Sequence, residues 1–149
     1  MPKTGKNDHA RKDELPSTLQ RSDQKAQDTF AKTYDSAMES YDNDESRAAR
    51  AAYASLKHSY EKVGDHWEPK EDGAEGPSDS RAEKSGAAAR RGEGRTAGGV
   101  DANASKTHLM DVARRLDVRG RSTMTKAKLV TAIQRANDRA TARSRTGPR

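Results

Sequence analysis

A run of 32 residues without one large apolar side chain constrains this chain more than any other feature. From Glu68 to Gly99 there is no Leu, Ile, Val, Met, Phe, Tyr or Trp, and Gly, Ala, Ser and charged residues dominate. Such a segment buries too little apolar surface to offset the entropy lost on ordering it. We therefore predict a disordered linker over residues 69–104, with a small folded module on each side of it.

The rest of the chain is also poor in core-forming residues. Leu, Ile, Val and Phe make up 13 of 149 residues, about 9%, where folded domains need about 20%. There is no cysteine, so neither a disulfide framework nor a thiolate metal site can form. No apolar run is long enough to span a membrane or to act as an export signal. We expect a cytoplasmic, non-enzymatic protein without cofactor or metal.

Charge is divided unevenly along the chain. Residues 1–72 carry 15 acidic and 12 basic side chains, whereas residues 105–149 carry three acidic and 12 basic ones. A local excess of this kind is typical of a segment that contacts nucleic acid or another anionic surface. The alternative is a basic face that is simply solvated.

Two apolar stripes at helical spacing predict two helices in the N-terminal module. The first stripe is Ala26, Phe30, Tyr34, Ala37 and Tyr41. The second is Ala49, Tyr53, Leu56, Tyr60 and Val63. Asp42 to Glu45 supply the intervening turn and helix cap, and Gly64 is expected to end the second helix as its C′ residue.

The N-terminal module resembles the ChaB family. The resemblance rests on the following residues: Asp13-Glu14-Leu15-Pro16, Ala26-Gln27, Phe30, Tyr34, Ser36-Ala37, Tyr41, Ala49, Ala52-Tyr53, Leu56-Lys57, Tyr60-Glu61-Lys62 and Trp67. The sequence departs from the family at Tyr53, where a tryptophan is common. The resemblance implies a helical domain over residues 13–68, with a short strand pair near Trp67, and a regulator of a cation antiporter.

Two further helices are predicted in the C-terminal module. Leu109, Val112, Ala113 and Leu116 share one face of a helix that begins near Ser105. A second helix, capped by Thr125, begins near Lys126 and turns Leu129, Val130, Ile133 and Ala136 inward. Between the helices, Gly120 can adopt a positive φ.

The C-terminal module resembles the N-terminal domain of the Rho termination factor, a helix-extended-helix fold similar to SAP domains. The string from Leu109 to Ile133 carries the resemblance, above all its Gly-x-Ser-x-Met-x-Lys-x-x-Leu core. Asp117 replaces a usual glycine, and Lys128 replaces a common glutamate. The resemblance covers residues 105–137 and implies association with nucleic acid and with transcription termination.

Basic side chains around this module form a candidate phosphate-binding site with the α-helix that begins after Thr125. We predict nucleic-acid contact by Arg114, Arg115, Arg119, Gly120, Arg121, Thr125, Lys126, Lys128 and Arg135. Arginine, lysine and the free N–H groups of a helix N-terminus all bind phosphate. The module has no aromatic residue, so stacking on single-stranded bases is not expected.

Two other side-chain groups do not support a metal site. Asp42 to Glu45 lack the glycine and the distant glutamate of a calcium loop. His58, His66 and Glu68 lack the spacing of a helical metal pair. We interpret the first group as a helix cap and the second as exposed polar residues near a helix end.

Together these patterns predict a mainly α protein of two small helical modules joined by a disordered linker. The divisions are a disordered tail over 1–12, the ChaB-like domain over 13–68, the linker over 69–104, the Rho-like domain over 105–140 and a basic disordered tail over 141–149. The leading hypothesis joins a protein-binding ChaB-like module to a module that binds nucleic acid through residues 105–149. The alternatives are a regulator of a membrane cation antiporter and a hydrophilic stress protein without a fixed partner.

Overall fold

The computed structural model describes residues 2–5, 9–78 and 98–146, and the predicted linker positions 79–97 lie outside them. The described chain is mainly helical with one small antiparallel strand pair, which confirms the predicted fold class. Its helices and strands are α1 (Ser17–Gln20), α2 (Gln24–Ser40), α3 (Glu45–Ser59), β1 (Tyr60–Val63), β2 (His66–Pro69), α4 (Lys106–Arg115) and α5 (Lys126–Thr146). No helix in the described ranges is long and apolar enough to cross a membrane.

The antiparallel pair α2 and α3 forms the main core of the N-terminal half. Each helix begins at an aspartate whose side chain caps it: Asp23 accepts from the Ala26 N–H at 2.8 Å, and Asp44 accepts from the Arg47 N–H at 3.2 Å. A carboxylate in this position satisfies a free N–H group and favours the helix dipole. The predicted α2 stripe is buried from Ala26 to Ala37, whereas Tyr41 is exposed.

The second predicted helix ends earlier than its apolar spacing indicated. α3 stops at Ser59, and Tyr60 to Val63 form β1 instead of a last helical turn. The prediction of Gly64 as a helix C′ residue is therefore wrong: Gly64 lies in the turn between β1 and β2, with φ at +69°. Tyr60 and Val63 are both buried, although they lie on a strand. Over so short a run, the same apolar positions are compatible with a helix or with a strand.

The β1–β2 hairpin pairs Tyr60 with Pro69 and Val63 with His66. It places Trp67 in the core against the N-terminal helices, where the indole N–H donates to the Thr18 hydroxyl at 3.3 Å. The Trp67 backbone N–H donates to the Ser22 hydroxyl at 2.8 Å. These contacts attach the hairpin to α1 and the turn that follows it.

A second buried cluster forms the C-terminal lobe, defined here as residues 98–146. Its central side chains are Leu109, Val112, Ala113, Leu129 and Ile133, as predicted, together with Val63 of β1 and Val100. Ser105 caps α4 by accepting from the His108 N–H at 3.1 Å. The lobe therefore shares its core with the hairpin of the N-terminal half.

α4 ends in a Schellman motif built on an aspartate. The Val118 N–H donates to the Ala113 carbonyl at 2.9 Å and the Asp117 N–H donates to the Arg114 carbonyl at 3.1 Å. These are the two bonds of the motif, and they require a left-handed residue between the helix and Val118. Asp117 takes that conformation, with φ at +57°.

The predicted disorder is wrong at both ends of the linker and over most of the C-terminal tail. Lys70, Ser78, Val100, Asp101 and Ala104 are buried, although all five fall within 69–104. Their anchors are polar as well as apolar, since the Ser78 hydroxyl donates to the Lys57 carbonyl at 2.8 Å. Residues 141–146 continue α5. Within this stretch, the Thr141 hydroxyl donates to the Gly64 carbonyl at 3.2 Å and anchors the helix to the hairpin.

Candidate nucleic-acid interface

Four of the predicted site residues lie between α4 and α5, from Arg119 to the cap residue Thr125. Arg119 is exposed, and Gly120 has φ at +74°, the left-handed conformation predicted for it. The Arg121 guanidinium donates to the Val118 carbonyl at 3.0 Å, so this side chain also supports the turn. Thr125 caps α5 by accepting from the Lys128 N–H at 3.3 Å.

The three predicted cations of α5 point away from the core. Lys126, Lys128 and Arg135 are exposed, while Leu129 and Ile133 on the other side of the helix are fully buried. Lys128 and Arg135 are seven residues apart, which places them on the same face two turns apart. Across the described residues, neither these three side chains nor Arg119 form an ion pair with a carboxylate.

Arg114 and Arg115 have a different environment. Arg114 forms an ion pair with Asp111 one turn earlier, at 2.5 Å. Arg115 forms two hydrogen bonds with Glu68 of β2, at 3.0 and 2.6 Å, and these bonds lower the pKa of that carboxyl. Arg115 therefore joins the lobe to the hairpin, a role that its position in the sequence did not reveal.

A shallow groove brings part of the predicted site together. It runs between α4 and the turn that follows it, and its lining residues are Thr107, Met110, Asp111, Arg114, Gly120, Arg121 and Ser122. Two of these lining residues, Arg114 and Arg121, are arginines, whose planar guanidinium groups bind phosphate. Asp111 lies in the same groove and offsets part of that charge.

The most unusual polar residues of the structure lie between the two halves. Asn137 of α5 is 1% exposed: its side-chain oxygen accepts from the Gly64 N–H at 2.6 Å, and its side-chain nitrogen donates to the Lys62 carbonyl at 3.0 Å. Glu61 of β1 is 2% exposed and lies 2.6 Å from the His108 Nε2 atom. We missed both in the sequence, although an asparagine on the apolar side of a helical pattern was a usable signal.

The two side-chain groups that the sequence analysis rejected as metal sites have structural roles in the fold. Asp44 is the α3 cap, and Asp42 and Asn43 take positive φ in the turn before it. His66 lies between Asp65 and Glu68, at 3.1 and 2.7 Å. No group of three potential metal ligands occurs in the ranges that the structure describes.

Comparison with known proteins assigns part of the chain. No curated protein and no solved structure matches it. The comparison with protein families finds no Rho N-terminal domain, although α4, the extended turn and α5 follow the helix-extended-helix order. One family model does match, over α1, α2, α3 and the hairpin. Residues 15–70 of this chain are a ChaB domain.

Proposed function

We propose that this protein is a non-enzymatic, cytoplasmic accessory protein whose C-terminal lobe binds nucleic acid through phosphates. The ChaB domain serves as the platform that contacts a protein partner. The observation that carries the proposal is a group of exposed cations in the turn and α5 of the lobe, which form no ion pair with a carboxylate among the described residues: Arg119, Lys126, Lys128 and Arg135. Residues 98–149, the lobe and the residues after it, carry 12 basic and four acidic side chains, a net charge of +8, whereas the whole chain has a net charge of +6.

The kind of contact follows from the chemistry of these side chains. Lysine and arginine bind phosphate without reading base identity, so affinity is expected to vary little with sequence. Bases have no aromatic side chain to stack on, because all six aromatic residues lie between Phe30 and Trp67. A duplex, with its two rows of phosphates, is therefore the favoured ligand over a single strand.

The test compares two sets of charge-removing variants in the full chain. Arg119, Lys126 and Lys128 are changed together to glutamine in the lobe, and Lys12, Lys25 and Arg50 are changed together in the ChaB half as the matched control. Both sets remove three positive charges from exposed positions. Arg121 is left in place because it bonds to the Val118 carbonyl.

Binding of labelled duplexes is measured by fluorescence anisotropy over a range of salt concentrations. The lobe variant is expected to bind all duplexes more weakly and to lose about 0.9 from the salt slope for each phosphate contact removed. The control variant is expected to bind like the unmodified chain. Equal losses of affinity in both variants would show that only the net charge of the chain matters, not the position of the cations. The absence of duplex binding by the unmodified chain at low salt would refute the proposal.

A second function is favoured by the ChaB domain itself. The family is associated with regulation of cation transport, and this association supports a role for the chain as a regulator of a cation antiporter. The test is cation efflux from cells that carry or lack the chain, loaded in turn with Na⁺, K⁺ and Ca²⁺. Efflux that changes with the chain and survives the lobe variant would favour this function over nucleic-acid binding.

A further inference from the structure

A layer of buried ionisable side chains separates the ChaB hairpin from the C-terminal lobe. Glu61 of β1 is 2% exposed, and Lys70 and Asp101 are each 4% exposed. Lys70 lies 3.9 Å from Asp101 and donates to the Gly76 carbonyl at 2.7 Å. Charged side chains are rarely buried to this extent, because each loses its hydration.

Glu61 has a histidine partner from the other half of the molecule. The distance from its carboxylate to the His108 Nε2 atom is 2.6 Å, and the two residues are 47 positions apart in sequence. The Glu61 side chain is 3% exposed and the His108 side chain 19%. The pair therefore exists only while α4 is docked on β1.

Carboxylates outnumber permanent cations around this pair. Among the described residues, the charged or titratable side chains that interact with this pair or its immediate neighbours are the carboxylates Glu68, Glu71, Asp101 and Asp111, the cations Lys70, Arg114 and Arg115, and His66, which lies 2.7 Å from Glu68. With Glu61 ionised, five negative charges meet three permanent positive ones. One proton shared by Glu61 and His108 removes part of this excess, so the docked layer favours binding it.

We propose that the Glu61–His108 pair is a proton-sensitive latch that holds the C-terminal lobe on the ChaB hairpin. When the pair carries a proton, the lobe is docked; when the pair loses it, the buried carboxylate is left among other carboxylates and the lobe is released. The proposal is independent of nucleic-acid binding, since neither Glu61 nor His108 lines the groove or belongs to the predicted nucleic-acid-binding residues.

The direction of the pH effect follows from linkage. Burial raises the pKa of Glu61, while the hydrogen bond from His108 lowers it, and the net shift is upward. The docked form thus binds the proton more tightly than the undocked form, in which Glu61 is solvated. The resulting stabilisation is complete below the ordinary glutamate pKa and is lost as pH rises through the raised pKa.

Release of the lobe would open one edge of the hairpin. The Lys62 N–H now donates to the Gly99 carbonyl at 2.9 Å, and Asn137 binds both the Lys62 carbonyl and the Gly64 N–H. All of these partners come from the C-terminal half. Undocking would therefore expose backbone donors and acceptors of β1 together with the Val63 side chain.

The test measures the distance between the two halves in the full chain as pH changes. The chain has no cysteine, so cysteines introduced by Ala54→Cys on α3 and Ala127→Cys on α5 are the only thiols available for labelling. Both positions are exposed, and they would carry a donor and an acceptor fluorophore. Energy transfer is recorded from about pH 4, near the ordinary glutamate pKa, to about pH 9. We expect it to fall as pH rises, with the docking equilibrium changing by at most about tenfold per pH unit for one proton.

Variants of the pair decide whether the latch causes the change. Glu61→Gln removes the titrating carboxyl and is expected to keep the lobe docked across the range. His108→Gln removes the imidazole, whose interaction lowers the pKa of Glu61, so it is expected to shift release to higher pH, and it serves also if the Glu61 variant does not fold. His58→Gln, at an exposed position on α3, is the matched control and is expected to behave like the parent.

Two results would overturn the latch. The first is energy transfer that does not change with pH in the parent chain. The second is a pH profile that stays the same in the Glu61 and His108 variants, which would assign the titration to other groups. No nucleic acid is present in this assay, so failure of the latch and failure of the proposed function remain separate outcomes.

Discussion

Removing the side-chain amide of Asn137 tests the packing of the two halves most directly. In Asn137→Ala, the Gly64 N–H loses its acceptor at 2.6 Å and the Lys62 carbonyl loses its donor at 3.0 Å. Each buried backbone group left without a partner costs about 1–3 kcal/mol, while alanine gains at most about 0.7 kcal/mol in helix propensity. We expect a net loss of about 1–5 kcal/mol in the free energy of unfolding, a large fraction of what so small a protein has.

Urea unfolding followed by circular dichroism measures this loss, with Asp138→Ala as the control at the exposed neighbouring position. Amide hydrogen exchange then locates it: the Gly64 N–H is expected to lose protection, whereas the Trp67 N–H, bonded to Ser22, keeps it. If Asn137→Ala unfolds at the same urea concentration as Asp138→Ala, the amide does not bridge α5 and β1, and the docked arrangement is wrong.

Three further substitutions test single steps of the fold. Asp117→Gly should stabilise the chain by about 1 kcal/mol in thermal unfolding, because glycine takes the left-handed conformation without the Cβ penalty, and destabilisation would contradict the Schellman assignment. Gly99→Ala should destabilise it, since a Cβ there would lie 2.9 Å from the Trp67 ring and 3.0 Å from the Lys62 side chain; an unchanged melting temperature would show that this contact is loose. Trp67→Ala should cost about 3–5 kcal/mol and unfold the ChaB domain, and retained helical circular dichroism would show that the ring is not part of the core.

Local rules were enough to predict the helices and their caps. Ser105 and Thr125 cap α4 and α5 as their residue types indicated, and Gly120 takes its positive φ. The inward positions Leu109, Leu129 and Ile133 are fully buried. These features depend on contacts within a few residues, so the sequence around each one contains the information.

The strand pair was harder to predict because short apolar patterns are ambiguous. Tyr60 and Val63 fitted the helical stripe of α3, and only the ChaB resemblance indicated strands near Trp67. The pairing of Lys62 with Trp67 and the turn at Gly64 decide the outcome through contacts outside the helical spacing. A pattern of two apolar positions three residues apart cannot distinguish these cases.

The candidate interface shows the same limit for charges. Nine residues were grouped by type and position alone, yet Arg115 is bound to Glu68 and Arg121 to the Val118 carbonyl. The partner of Arg115 could not be identified without the fold, because Glu68 is 47 residues away along the chain. Arg119, Lys126, Lys128 and Arg135 remain the group on which nucleic-acid binding would depend.

Polar side chains explain why the two halves were predicted to be separate. A count of large apolar residues finds almost nothing to bury between Glu68 and Gly99, but the halves are joined largely by Asn137, Glu61, His108 and Arg115. Buried polar contacts hold two surfaces together only when every group is matched. An interface of this kind is specific in geometry and sensitive to protonation, which is the combination that a latch requires.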